Sequence, residues 1–331
     1  MNRSRRKFLR VLAGAPLVVV SGCKTMQHEQ TFAVAAEAAT APSLTNYNAS
    51  GRALVVEGKT LLVALAFPSA MDELSGSFPV QFEPESIGGR SLTEEQPLFF
   101  YPTGDRRTFR TILSAPLDAV AGSYQLRVTA RTPGGAQQQA AFPYAVETGV
   151  YRHTTLTLDR NFSSPSPEIA ARMHSDFLTM LEIYNRRTER KWNRSFVRPV
   201  EGQDRANFGD KRTVNGTKHY RHSGLDYRAP LSTPVHAIND GIVALSGEQW
   251  TPGQTICIDH GGGVFSKYLH LSERRAQTGE TVRRGDVIAL SGNTGGQRPG
   301  PHLHLDLVVN GTHVDPVDFM STAARLIELE G

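Results

Sequence analysis

Between about residues 50 and 148, apolar residues come in short runs broken by turn formers. The runs are Ala53–Val56, Leu61–Phe67, Val80–Phe82, Leu98–Tyr101, Thr108–Leu113, Tyr124–Ala130 and Ala141–Val146. Gly58-Lys59, Gly104-Asp105 and Pro133-Gly134-Gly135 punctuate them. Along Tyr124-Gln125-Leu126-Arg127-Val128-Thr129 apolar and polar positions alternate, the period of a half-buried strand. Seven short strands over about 100 residues predict an immunoglobulin-like β-sandwich. At Ser166-Pro167-Glu168 the period changes. Ser as N-cap and Pro in the first turn start a helix. Ile169, Met173, Phe177, Leu181 and Tyr184 then recur every three or four residues, a stripe expected to pack on a neighbouring domain. The basic residues that follow, Arg186, Arg187, Arg190 and Lys191, read as a solvated helix end. From Phe196 onward Gly and His become dense and strand patterns return.

Composition bounds the class. Apolar residues at 39% and charged residues at 21% are ordinary for a globular protein, and 331 residues allow two domains plus extras. Two cysteines exclude a disulfide scaffold and a four-cysteine zinc module. The sequence pI near 9.1 is misleading, because Arg3, Arg5, Arg6, Lys7 and Arg10 crowd the first 22 residues. Removing those five charges takes the formal +4 to about −1, so no nucleic-acid partner is implied. The run Val11–Val20 is too short to span a bilayer but suits a signal h-region. Ser4-Arg5-Arg6-Lys7-Phe8-Leu9-Arg10 resembles a twin-arginine signal. Val20-Ser21-Gly22-Cys23 resembles a bacterial lipobox, which implies lipidation at Cys23 and a membrane anchor. Lys24, where Asp would favour the inner membrane, leans towards the outer one. Cys257 is then the one remaining thiol, so no internal disulfide is expected.

The chemistry-bearing residues lie in the last 130 or so positions. His222-Ser223-Gly224-Leu225-Asp226, Tyr268-Leu269-His270-Leu271-Ser272 and Gly300-Pro301-His302-Leu303-His304-Leu305 stand out. Side chains alternate faces on a strand, so His302 and His304 point one way and Leu303 the other. In an extended segment His222 and Asp226 also share a face. Two histidines and a carboxylate suit zinc, and three protein ligands leave a position open for water, as catalytic sites require. Two further histidines then remain as acid–base candidates.

With their flanks and in this order, the segments resemble the lysostaphin/LytM-type zinc metallopeptidases, bacterial endopeptidases that cut cell-wall peptides. The resemblance runs from about Phe196 to Phe319. It includes Phe208-Gly209, Arg212, His222–Pro230, Thr233-Pro234-Val235 and Asp240–Val243. Ile258–Gly261, Tyr268–Ser272, Gly285–Ile288, Gly292–Gly295, Gly300–His304 and Asp315-Pro316 complete it. The resemblance implies His222, Asp226 and His304 as ligands of one zinc ion, and His270 and His302 as catalytic histidines. It implies a structural place for His260 and none in catalysis for His219, His236 or His313. Three positions depart from the pattern. Ser232 replaces a usual Gly, the loop Gly296–Pro299 is one residue longer, and Asp306 stands where Glu is common.

The expected architecture is mainly β. It comprises a signal peptide (1–22), a flexible tether (23–48), the sandwich (49–150), a strand and helical connector (151–195), the LytM-type domain (196–320) and a C-terminal helix (321–331). The expected function is hydrolysis of peptidoglycan peptide cross-links, D-alanyl–diaminopimelate bonds in a Gram-negative wall, by a periplasmic, monomeric lipoprotein. The alternative is a catalytically silent or latent wall-binding regulator that activates another cell-wall hydrolase. Such relatives have usually lost metal ligands, whereas all five positions are intact here. A second rival comes from Thr233–Ala237 and Val282–Val287, which resemble the hairpins of lipoyl carriers. Those carriers need a modified Lys in an exposed turn. Lys267, the one Lys after Lys218, falls in a strand pattern instead.

Overall fold

Among the described residues, nine strands build the N-terminal half: β1 (Ser43–Asn46), β2 (Leu54–Val56), β3 (Thr60–Ala66), β4 (Glu73–Gln81), β5 (Thr93–Pro97), β6 (Tyr101–Pro102), β7 (Thr108–Ser114), β8 (Gly122–Arg131) and β9 (Gln137–Glu147). The computed structural model describes residues 41–47, 52–81, 93–158, 160–296 and 300–331. The signal segment, Cys23, most of the tether and residues 297–299 of the longer loop lie outside the described residues. The strands form two sheets, ordered β1-β3-β7-β6 and β2-β9-β8-β4-β5. Every pairing is antiparallel except β2 with β9. Alternation in the sequence decides which side chains enter the sandwich. Leu126 and Val128 of β8 and Phe142, Tyr144 and Val146 of β9 point into it, against Leu61, Val63 and Leu65 of β3.

The sheet holding β3 and β7 is covered on both faces, which is why Leu61–Leu65 reads as a continuous apolar run. Its second face contributes Leu62 and Ile112 to the core of the C-terminal half. Polar contacts lock the same boundary: Thr60 N donates to Asp318 Oδ2 (2.8 Å) and Asn310 Nδ2 to the Ile112 carbonyl (3.1 Å).

The connector holds β10 (His153–Leu156), α1 (Arg160–Ser163) and α2 (Pro167–Tyr184). Ser166 caps α2, its Oγ accepting from Ile169 N at 3.3 Å. The buried face differs from the expected stripe. Met180 and Ile183 are buried against Ala244, Cys257, Phe265 and Val308, whereas Phe177 and Leu181 are 60% and 44% exposed. The helix settles on the side that fits the sheet, and its 177/181 edge is left bordering a cleft. The basic residues beyond it are not simply solvated. The Arg187 guanidinium lies 3.9 Å from the Phe99 ring centroid and donates to the Leu98 carbonyl. Arg190 covers Tyr101 and Trp192 and pairs with Glu330.

The C-terminal half contains β11 (Lys211–Val214), β12 (Lys218–Arg221), β13 (Leu225–Tyr227), β14 (Pro234–His236), β15 (Gly241–Gln249), β16 (Gly253–Gly261), β17 (Val264–Leu271), β18 (Glu273–Arg274), β19 (Thr281–Val282), β20 (Val287–Leu290), β21 (Leu303–Val309) and β22 (Thr312–His313). A seven-stranded sheet runs β13-β21-β17-β16-β15-β19 with β22 beside β21. Smaller sheets are β14-β20-β18 and β10-β11-β12. The terminal helix α3 (Pro316–Glu328) starts earlier than residue 321, because Asp315 caps it through Val317 N and Pro316 sets its first turn. Phe319 and Leu326 of α3 pack on Trp192 and Phe196. Lys267 lies inside β17 and is buried, so it cannot serve as a carrier lysine.

Candidate metal centre

Strand β13 pairs antiparallel with β21 so that Asp226 faces His304 directly. Cross-strand partners project from the same face of a sheet, and this places the carboxylate beside the imidazole. His222 joins them from the bend before β13. Gly224 lets this segment lie close against β21, since a Cβ there would lie 2.3 Å from His304 Nε2 and 2.5 Å from the Leu305 carbonyl oxygen. His222 Nε2 is 3.0 Å from His304 Nδ1 and 3.2 Å from Asp226 Oδ1, and His304 Nδ1 is 2.9 Å from Asp226 Oδ1. All three residues are buried.

Their hydrogen bonds fix which atoms converge. His222 Nδ1–H donates to the Asn207 carbonyl (2.8 Å), which turns the Nε2 lone pair inward. His304 Nε2–H donates to Asp306 Oδ1 (2.8 Å), which turns its Nδ1 inward. Asn207 also holds Asp226, donating from Nδ2 to Oδ2 (2.7 Å) and accepting from the Asp226 backbone N–H (3.1 Å). His222 Nε2, His304 Nδ1 and Asp226 Oδ1 thus crowd within 3.2 Å of one another, an arrangement held by shared protons that a cation can replace. Donors held about 2.1 Å from a tetrahedral ion stand about 3.4 Å apart, a few tenths of an ångström beyond these spacings. The donor set, the burial and the supporting carbonyl and carboxylate fit zinc.

The charges agree. Burial opposes ionisation of Asp226, yet the hydrogen bonds from His222 and His304 hold its carboxyl far below the usual range. Burial likewise disfavours a cation at His304, but Asp306 and Asp226 hold its pKa up at about 9. Burial pushes His222 down. The cluster therefore attracts positive charge. Arg212 Nη2 sits 3.5 Å from Asp226 Oδ2 on the outer side.

His302 and His270 border the cluster without joining it. His302 Nε2 is 3.8 Å from Asp226 Oδ1, and the two rings are 4.9 Å apart. Each is anchored through Nδ1–H to a backbone carbonyl, His302 to Gly300 (2.8 Å) and His270 to Thr294 (2.9 Å). Both Nε2 atoms are thus left as lone pairs. His270 has φ +61° and stands where the β16–β17 register shifts. The bulge aims its ring across the sheet, and such strain concentrates at functional sites. Burial, helped by the neighbouring histidines, lowers the His270 pKa to about 3; burial also lowers that of His302. Both are neutral bases at neutral pH.

Asn207 and Asp306 support the site without being among the five residues the sequence points to. The i, i+2 relation of Asp306 to His304 was a usable signal, because both share a strand face. Asn207 had none, being a loop residue 15 positions before His222. Among the remaining histidines, His236 bonds the Gly285 carbonyl, and His153 and His219 share Thr213 Oγ1. His313 lies behind the cluster, its Nδ1 3.6 Å from Asp306 Oδ1.

His260 is buried away from the centre, with Nδ1–H on the Asp240 carbonyl and Nε2 accepting from Ser266 Oγ (both 2.7 Å). Burial lowers its pKa to about 4. The unfolded chain therefore binds the proton more readily, near pH 6.5. The stability His260 contributes is present above pH 6.5 and is lost as pH falls towards 4, up to about 3 kcal/mol. In denaturant titrations at pH 4 to 7, His260→Gln should flatten this slope; an unchanged slope would refute the assignment.

Two imidazoles and a carboxylate converging beside two neutral histidines define a metallohydrolase-type centre. Residues 220–316 match the model of peptidase family M23. Over 152 residues the chain is 37% identical to the peptidoglycan DD-endopeptidase ShyA of Vibrio cholerae, covering 45% of this chain and 34% of that protein. It is 43% identical over 109 residues to the DD-carboxypeptidase/endopeptidase Mpg of Neisseria meningitidis, covering 33% and 25%. The chain thus spans a quarter to a third of these relatives' lengths. A crystal structure of a candidate peptidase M23 from Pseudomonas aeruginosa superposes with a TM-score of 0.56 at 25% identity, covering 80% of this chain and 94% of that one. Residues 220–316 thus carry a peptidase family M23 domain, and the fold likeness to the Pseudomonas structure covers 80% of the chain, reaching upstream of that domain.

Proposed function

We propose that the chain is a zinc-dependent endopeptidase that hydrolyses peptide cross-links of bacterial peptidoglycan, at the D-alanyl–diaminopimelate bond. The observation that carries this reading is the convergence of His222 Nε2, Asp226 and His304 Nδ1 beside two histidines whose Nε2 atoms are free to take protons. The names of the Vibrio and Neisseria relatives support the substrate class. His222, Asp226 and His304 would hold the ion. Bound zinc supplies Lewis acidity, which polarises a carbonyl and lowers the pKa of water from ~16 to ~7. The Nδ1 anchors on Gly300 and Thr294 keep the His302 and His270 rings from turning away. Either Nε2 can accept the proton of the attacking water. Once protonated, it can donate to the developing oxyanion or to the leaving amine. The buried walls exclude bulk water from both steps.

The test is digestion of a purified cross-linked muropeptide dimer, with products read by mass spectrometry. Two monomers, one ending in a new D-alanine carboxylate, are expected; an intact dimer or products of glycan cleavage would contradict the reading.

We also propose that the sandwich positions the enzyme and that Cys23 anchors it as a monomeric lipoprotein on the periplasmic face of the outer membrane. Val20-Ser21-Gly22-Cys23 motivates the anchor, and Lys24 the choice of membrane. Cys23→Ala should leave the precursor unprocessed or release it from membranes on fractionation. A soluble, unacylated wild-type protein would overturn the anchor.

A further inference from the structure

Helix α2 precedes residue 220 and so lies outside the segment that matches the family model. Its polar contacts nonetheless fall on the turn that joins β15 to β16. Ladder pairing ends there at Gln249 with Gly253, which leaves Trp250, Thr251 and Pro252 as the turn. The Trp250 N–H lies beyond the ladder and donates to Asp176 Oδ2 at 2.7 Å. Gln249 Nε2 donates to the Asp176 carbonyl at 3.4 Å, and Arg172 pairs with Glu248 at 3.6 Å. That ion pair is exposed and contributes little. The bond from Trp250 N–H to the half-buried Asp176 carboxylate is the short, charge-assisted one.

The same turn supports His270 in two ways. The Pro252 carbonyl accepts from the His270 N–H at 2.9 Å, and the Trp250 carbonyl accepts from the Gly296 N–H at 2.8 Å. Gly253 lies so close to Thr294 that a Cβ there would stand 2.4 Å from the Thr294 carbonyl carbon. The Thr294 carbonyl is the group that orients the His270 ring, at 2.9 Å from Nδ1. Backbone and ring of His270 thus both rest on this turn and the loop packed against it, and Asp176 ties the turn to α2. His270 needs such support. Its φ of +61° lies in the left-handed region, which a residue with a side chain keeps only where its surroundings over-determine it. His302 is anchored separately, on the Gly300 carbonyl.

We propose that Asp176 is a positioning residue for the reaction: by fixing the β15–β16 turn to α2, it holds His270 in its strained conformation, with its ring 6.2 Å from that of His304. This deepens the endopeptidase reading above and rests on it. Asp176 itself touches none of the reacting atoms and acts through the turn.

The test measures kcat and KM for a cross-linked muropeptide dimer, beside metal content, on the zinc-loaded full chain. Asp176→Ala should keep its zinc and lower kcat by about 10- to 100-fold with little change in KM, because a catalytic group displaced by about an ångström costs rate on that order. Asp176→Asn keeps a carbonyl acceptor for the Trp250 N–H and should stay within about threefold of the wild type. The sharpest comparison is made in the His270→Ala background. Once the imidazole is gone its placement no longer matters, so adding Asp176→Ala should slow that variant by less than about threefold. An undiminished loss in that background would mean that Asp176 acts on the fold at large, and would overturn the proposal. So would an Asp176→Ala chain as fast as the wild type, one that has lost its zinc, or an Asp176→Asn chain as slow as Asp176→Ala. Each of these leaves the endopeptidase reading standing, since the wild type still cuts. A zinc-loaded wild type that leaves the dimer whole would overturn that reading and the proposal with it.

Discussion

His304→Ala should lose both zinc and hydrolysis, whereas His302→Ala should keep nearly one zinc per chain and lose turnover by on the order of 10²–10⁴-fold. The two residues share one face of one strand, so sequence spacing alone gives them equal claims. Their surroundings separate them. His304 Nδ1 faces His222 Nε2 and Asp226 Oδ1 at 3.0 and 2.9 Å, while its far nitrogen is held by a carboxylate. His302 Nε2 stops 3.8 Å from Asp226, and its far nitrogen is held by a backbone carbonyl. The first set builds a ligand, and the second builds a neutral base. His270→Ala should resemble His302→Ala. Elemental analysis beside hydrolysis rates decides the matter. Reversed metal contents would exchange the two roles, and unchanged metal in both variants would place the ion elsewhere.

Asp306→Ala should weaken zinc binding by about 10- to 100-fold while leaving every ligand in place. Without that carboxylate, His304 Nε2–H loses its buried acceptor, the ring is no longer held with Nδ1 inward, and its basicity falls. Asp306→Asn retains an acceptor but no charge, and should lie between the variant and the wild type. Competition against a chromophoric chelator at neutral pH measures the series. Equal affinities for wild type and Asp306→Ala would show that Asp306 does not support the ligand.

How much of this was legible beforehand depended on whether the signal was local. The alternation in Tyr124–Thr129 and the cap at Ser166-Pro167 are local, and β8 and α2 form around them. His222, Asp226, His270, His302 and His304 sit in distinctive short segments, and the fold brings them close together. What was not legible depends on partners far away in sequence. Strand β4 begins at Glu73, before the apolar run near Val80, because small residues such as Ser75 and Gly76 are carried by pairing with β8. Helix α2 turns Met180 and Ile183 inward rather than Phe177 and Leu181, since the sheet beneath it offers Cys257, Phe265 and Val308. Arg187 and Arg190 look solvated until the Phe99 and Tyr101 rings are placed against them. Asn207 reaches the site only through a loop whose course no pattern predicts.

One zinc ion, held by His222, Asp226 and His304, is proposed to make this chain a peptidoglycan endopeptidase. The most direct measurement strips the full-length protein with a chelator and returns zinc stepwise while following cleavage of a cross-linked muropeptide dimer. Cleavage should be absent at first, rise in proportion to bound zinc, and level off at one zinc per chain. A stripped protein that still cuts the dimer, or a fully loaded one that leaves it whole, would contradict the account.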